Sequence, residues 1–235
     1  MRMIGLVGGM SWYSTMDYYR TINAAVQERL GGHASAPLTL QSLDFAQVRA
    51  MQLAGDWEAA GALLADAARR CQDAGAETVL ICTNLMHRVA DVVEAAIDVP
   101  LLRVTDAVAD AALARGVERL GLLGTRWTME EDFYVGRLRA RGLDVLVPDA
   151  AARVELDRIV FDELTRGVVD ASSAAACRRM VERLEAAGAG AVVLGCTEIQ
   201  LLLGPDDART PVLDSMAVHA AAAARFCLDG AALPA

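Results

Sequence analysis

The chain repeats itself. IGLVGG from Ile4 returns as LGLLGT from Leu120, AGAETVLICTN from Ala74 as AGAGAVVLGCT from Ala187, and VPLL from Val99 as TPVL from Thr210. The offsets are 116 (4 to 120), 113 (74 to 187) and 111 (99 to 210), so they drift by only a few residues over half the chain. Two copies of one supersecondary unit account for this. Within each copy short apolar runs alternate with helical patterns, which means a parallel sheet with helices on both faces. The expected fold is therefore α/β: two pseudo-symmetric Rossmann-like α/β domains, each with a four-stranded parallel sheet, and an active site between them. The expected domains are residues 1–103 plus 212–235, with the C-terminal helix returning, and residues 104–211.

The first copy reads as strands at 3–7, 38–42, 78–82 and 101–104, with helices at 14–30, 56–73, from His87 to about 97, and 106–115. The second reads as strands at 120–123, 145–147, 191–194 and 212–214, with helices at 130–141, 154–166, 172–187 and 216–228. A 54% hydrophobic content leaves ample material for cores. A net charge of −9 argues against nucleic acid and, less strongly, against an anionic membrane surface. No apolar run approaches the ~20 residues of a membrane span. The opening MRMIGLVGGM reads as a strand and turn rather than a signal peptide. Five cysteines without framework spacing point to free thiols and a cytoplasmic location.

Chemistry concentrates at the strand tips. The run AVVL from Ala191 reads as a buried parallel strand, and Gly195-Cys196-Thr197-Glu198 follows it. A thiol there lies where open α/β sheets bind ligands. Gapless alignment of the third strands (offset 113) places Thr83, not Cys82, opposite Cys196. Successive side chains alternate along a strand, so Cys82 points elsewhere and reads as packing. Two groups across a pseudo-dyad suit racemisation, in which one removes an α-proton and the other returns one to the opposite face. A thiol has a reference pKa of ~8.5, lowered further by a positive local field. A hydroxyl is too weak an acid for an equivalent base, though it can relay or donate a proton.

At these residues the chain resembles the aspartate/glutamate racemases that work without pyridoxal phosphate. The matching stretches are IGLVGGMS, CTNLMH at 82–87, GLLGTRWTM at 121–129 and GCTEI at 195–199, in family order. The resemblance implies a two-domain α/β fold, a homodimer, no cofactor and an amino-acid substrate. It also implies two facing residues that exchange the α-proton. Most members carry cysteine at both tips. With Thr83 at the first, this chain looks like the L-aspartate/glutamate-specific branch, and Cys196 is then the base for the L-enantiomer.

The same resemblance makes Asn84 a substrate hydrogen-bonding residue and Arg49 a carboxylate-binding one. A family lysine near position 165 has no counterpart here, where Thr165 stands. Backbone N–H groups of Met10 and Ser11 suit the α-carboxylate, and Thr125 and Thr197 are further substrate-binding candidates with turn or cap roles as the alternative. His87 and Glu198 read as structural, one packing or capping and the other complementing a helix start. No CxxC or HxxxH pair suggests a metal, and no lysine lies in a Schiff-base setting. Alternatives on the same scaffold are a broad-range amino-acid racemase, a one-thiol decarboxylase or isomerase of small diacids, and a non-catalytic amino-acid sensor.

Overall fold

The strands form where the apolar runs lie, because a parallel strand covered on both faces needs apolar side chains on both. A computed structural model describes residues 1–229. In chain order the first half runs β1 (Ile4–Gly8), α1 (Trp12–Leu30), β2 (Leu38–Ser42), α2 (Phe45–Ala54), α3 (Trp57–Asp73), β3 (Thr78–Ile81), α4 (Ala90–Glu94) and β4 (Leu101–Leu102). The second runs α5 (Val104–Leu113), β5 (Arg119–Leu123), α6 (Arg126–Glu130), α7 (Val135–Ala140), β6 (Asp144–Leu146), α8 (Ala150–Arg158), α9 (Ala171–Ala186), β7 (Ala191–Leu194), β8 (Val212–Asp214) and α10 (Ser215–Asp229).

Each half forms its own four-stranded, all-parallel sheet, ordered β2-β1-β3-β4 and β6-β5-β7-β8. The chain divides into two units. One holds Met1–Val104 and the return from His219; the other holds Thr105–Val218. The strand at 212–214, assigned from the sequence to the first domain, pairs with β7 in the second sheet.

The strand register reproduces the repeat. Ile4 pairs with Thr78 in the first sheet and Leu120 with Ala191 in the second. Val79 pairs with Leu101, and Val192 with Val212. These pairs carry the offsets 116, 113 and 111 read from the sequence. Helix packing follows the same equivalence. A Cβ on Gly5 would stand 2.6 Å from Cys71 Cβ and 3.1 Å from Ala76 Cβ. On Gly121 it would meet Leu184 Cβ at 3.1 Å and Ala189 Cβ at 3.4 Å. In each unit one helix, α3 or α9, lies close on the first strand at this glycine: a Cβ is excluded at Gly5 and tightly crowded at Gly121.

Several elements differ from the sequence reading. α2 is additional, capped by the Asp44 carboxylate on the Ala46 N–H and closed by Gly55 in the left-handed region at φ 69°. The helix expected from His87 begins instead as a 3₁₀ turn, Leu85–Val89, before α4. The helix expected over 130–141 is two short helices, α6 and α7, and that over 154–166 starts earlier. Asp149 caps α8 on the Ala152 N–H, and α8 then widens into a π turn at Ile159–Glu163. Among the described residues no helix is long and apolar enough to cross a membrane.

Candidate active site

The candidate residues other than Arg49 gather at the C-terminal ends of the central strands, one set in each unit; Arg49 lies on α2, after the edge strand β2. In the first unit β1 runs into Gly8-Gly9-Met10-Ser11. Gly9 has φ +87°, and a Cβ there would stand 2.1 Å from the Leu43 carbonyl oxygen, so the turn requires glycine. The Gly9 N–H donates to Thr15 Oγ1 at 2.8 Å, and that hydroxyl donates to the Ser11 carbonyl at 3.0 Å. Ser11 takes the N-cap position of α1 with extended backbone, and the Met10 side chain is buried in the core. Thr15, which sequence reasoning passed over, therefore shapes the turn in which Met10 and Ser11 lie.

Next to it is the tip of β3. The Cys82 N–H donates to the Val7 carbonyl at 2.9 Å. In the second unit the Gly195 N–H donates to the Leu123 carbonyl at 2.6 Å. These are the same bond under the two offsets, so Cys82 corresponds to Gly195 and Thr83 to Cys196. Cys82 is fully buried, and burial pushes its thiol well above the ordinary range. Thr83 is half-buried, and Asn84 and His87 are buried beside it. His87 is spent on backbone: Nδ1 pairs with the Thr83 carbonyl at 2.8 Å, and Nε2 accepts the Val104 N–H at 3.0 Å. Arg49, half-buried on α2, donates to Gln52 Oε1 at 3.2 Å, and Gln52 Nε2 reaches Met86 Sδ at 3.2 Å. A polar chain thus links Arg49 to the turn that follows Asn84; Gln52 is a second residue the sequence reading missed.

In the second unit Cys196 follows β7 and is 8% exposed. Gly195 precedes it because a Cβ would meet Leu122 Cδ1 at 2.8 Å and the Leu123 carbonyl oxygen at 3.0 Å. The Cys196 thiol donates to Glu198 Oε2 at 3.1 Å, and the Thr197 hydroxyl donates to the same oxygen at 2.7 Å. Thr125 ends β5 and caps α6, its Oγ1 accepting the Thr128 N–H and lying 3.0 Å from Thr128 Oγ1. The cap role given as the alternative for Thr125 is therefore occupied. The Asp157 carboxylate accepts the Arg126 N–H at 2.9 Å.

The electrostatics at Cys196 are the reverse of a positive field that would lower a thiol pKa. Burial comes first in raising the Cys196 thiol well above its ordinary value. The charge of Glu198, its hydrogen bond from the thiol and the more distant Asp157 add in the same direction, while the Glu198 backbone N–H works the other way. The sulfur is held as a thiol with a carboxylate in position to take its proton. Glu198, read from the sequence as a helix-start residue, is thus part of the thiol's immediate surroundings. Among the described residues no group of three or more His, Cys, Asp or Glu could hold a metal ion. Thr165 turns its hydroxyl to the Phe161 carbonyl at 3.0 Å, within its own turn.

The family model for Asp/Glu/hydantoin racemases matches residues 7–223. The chain belongs to the Asp/Glu/hydantoin racemase family. Among solved structures, a candidate Asp/Glu racemase from Yersinia pestis is 46% identical with a TM-score of 0.93, over 97% of this chain and 100% of that one. An aspartate racemase homologue from Pyrococcus horikoshii is 33% identical with a TM-score of 0.84, over 97% and 99%. The Picrophilus torridus aspartate racemase shares the fold at 18% identity and a TM-score of 0.76, over 100% and 96%. The two parallel sheets are the architecture of this racemase family, and membership gives the class of chemistry, isomerisation of a small molecule.

Proposed function

We propose that the protein interconverts the enantiomers of aspartate or glutamate without a cofactor, by removing and returning the α-proton. The observation that carries the reading is the pair of equivalent backbone bonds at Cys82 and Gly195, which makes Thr83 and Cys196 counterparts at two strand tips. Cys196 removes the α-proton of the L-enantiomer once Glu198 has accepted the thiol proton and passed it to solvent, and the Thr83 hydroxyl delivers a proton on the opposite face while taking one from water, so that it is never left ionised. Met10 and Ser11 N–H groups hold the α-carboxylate, Arg49 a carboxylate, and Asn84, Thr125 and Thr197 supply hydrogen bonds. All 22 basic residues of this 235-residue sequence are arginine, so no lysine in it can carry pyridoxal phosphate. The protein acts as a cytoplasmic homodimer on a free amino acid.

One observation favours a second reading. The carboxylates of Glu198 and Asp157 act on Cys196, and Thr165 stands where the resembling family has a lysine. That setting is unfavourable for a second substrate carboxylate near the thiol and fits a broader amino-acid range.

Both readings are tested by incubating the protein in deuterium oxide with single enantiomers of aspartate, glutamate and neutral amino acids. The first predicts Cα deuterium from L-aspartate or L-glutamate at least about tenfold faster than from their D-forms, ~1.4 kcal/mol of barrier. Thr83→Cys should raise the D-to-L rate more than the L-to-D rate. Faster exchange from neutral amino acids supports the second reading. Equal exchange from both enantiomers in the wild type overturns the one-thiol mechanism, and exchange from none overturns racemisation.

A further inference from the structure

Two buried histidines of the first unit take no part in the proposed proton transfers, and the bonds of His87 fix which of its nitrogens carries hydrogen. An amide N–H can only donate, so the Val104 N–H 3.0 Å from His87 Nε2 marks Nε2 as bare and Nδ1 as protonated. Nδ1–H then donates to the Thr83 carbonyl at 2.8 Å. At His219 the hydrogen is on the other nitrogen: Nε2–H donates to the Leu102 carbonyl at 2.8 Å, and Nδ1 pairs with the Tyr18 hydroxyl at 2.8 Å. The two rings meet edge to face with centroids 5.9 Å apart.

The His87 ring completes a sheet edge. β3 and β4 pair only through Val79–Leu101 and Leu80–Leu102. Continued, that register would set Cys82 beside Val104. The chain after β3 turns away instead, and the imidazole spans from the Thr83 carbonyl to the Val104 N–H in place of the missing rung. The second unit closes the corresponding edge differently: residue 200, the counterpart of His87, is glutamine, and the Ser215 hydroxyl donates to the Leu194 carbonyl at 2.6 Å. The imidazole bridge therefore belongs to the half whose strand tip carries a hydroxyl rather than a thiol.

We infer that His87 is a positioning residue for Thr83. Its neutral Nδ1–H form fixes the Thr83 peptide and thereby the direction in which the hydroxyl leaves the strand. The inference rests on the reading of Thr83 as the group that returns the proton. A weakly acidic hydroxyl depends on placement, and an error of ~1 Å can cost about a hundredfold in rate. Cys196 follows β7 in the other unit and makes no use of this bridge.

The test uses L-glutamate in deuterium oxide and reads two quantities: deuterium in the recovered L-glutamate, and D-glutamate formed. The first reports removal and return at the Cys196 face, the second delivery from the Thr83 face. His87→Phe keeps a ring and deletes both hydrogen bonds. It should lower D-product per deuterium retained in L by about tenfold or more, with L-exchange within about twofold of wild type. His87→Gln, whose amide can both accept and donate, should bring the ratio back to within about threefold. Val104→Pro removes the N–H donor at the first position of α5, where proline is tolerated, and should lower the same ratio even if His87→Phe folds poorly. Equal loss of both quantities means a merely structural role and overturns the inference, as does an unchanged ratio. No exchange in the wild type overturns the reading beneath it, and the inference with it.

Discussion

Replacing Glu198 with glutamine should make Cys196 react faster with an alkylating probe. Burial, the Glu198 charge and the hydrogen bond from Sγ to Oε2 at 3.1 Å together hold the sulfur protonated. Glutamine keeps the volume and the backbone N–H and removes the charge. A unit charge about 4 Å away is worth about 1 kcal/mol even at the dielectric of bulk water, and about 4 kcal/mol at an effective dielectric near 20. The lower figure alone is about a fivefold change in an equilibrium, since ~1.4 kcal/mol is tenfold. The thiolate is the reacting species, so labelling by iodoacetamide at fixed neutral pH should accelerate by at least about fivefold. Intact-mass time courses read the rate, with Cys196→Ala as the blank. Background is low because the other four thiols are 0–1% exposed against 8% for Cys196. Unchanged or slower labelling, in a variant with native circular dichroism, would refute the argument that the carboxylate acts on the sulfur.

Cys196→Ala should abolish α-proton exchange from L-substrates while the far-ultraviolet dichroism stays native, whereas Cys82→Ala should lose stability and keep turnover per folded molecule. Exchange within about tenfold of wild type in the first, or lost turnover in a well-folded second, would reverse the roles of Cys82 and Cys196. Stability should fall in alkali: burial pushes Cys71 up to about 11 and Cys177 up to about 12, whereas an unfolded thiol ionises near ~8.5. The native state keeps protons that the unfolded chain has lost, so the contribution is complete below pH ~8.5 and drains away as pH rises toward the folded values. Differential scanning calorimetry should show Tm dropping between pH ~8.5 and ~10.5, less steeply in Cys71→Ala; a Tm flat across that range in both proteins would contradict the linkage.

The repeat made the architecture legible because register in a parallel sheet is set by the same apolar periodicity that the eye matches in sequence. The offsets read from three short stretches reappear as strand pairs, and the equivalence of Thr83 with Cys196 follows from backbone bonds at the strand tips. What stayed hidden was local or long-range. α2 carries its signals in Asp44 and Gly55, but its weakly periodic FAQVRAMQLA reads as loop between two stronger patterns. The 3₁₀ turn that opens the helix after β3 holds His87, which bonds backwards to the Thr83 carbonyl and across to the Val104 N–H, the second a long-range contact no spacing rule encodes. Glu198 looked like a helix-start carboxylate because the sequence places it two residues after the thiol, and only the fold of that turn brings Oε2 to the sulfur. The sign of the field at Cys196 was not legible in the sequence for the same reason. Field depends on which charges lie near one another in space; here the Glu198 carboxylate meets the sulfur and the charge of Asp157 adds to its effect.

The two halves show where a duplicated unit is constrained and where it is free. Gly5 and Gly121 hold the same place, pressed by the same positions of α3 and α9, because a helix packed that close on a strand crowds any Cβ there, outright at Gly5 and tightly at Gly121. The pairs Cys82 with Gly195, Thr83 with Cys196, Asn84 with Thr197 and His87 with Gln200 all differ, and all lie beyond the last paired strand residue. Packing demands matched volumes in the sheets; it demands nothing of residues past the ladder, so those positions can diverge without cost to the fold. A symmetric pair of tips would serve both enantiomers alike. On the proposed reading, a thiol on one tip and a bridged hydroxyl on the other split the two half-reactions between groups of unequal strength. A catalyst leaves the equilibrium between enantiomers untouched. The inequality must then be carried by rates and by affinity for the D-form, and any change that strengthens the Thr83 side has to be matched by a change in how tightly that form is held.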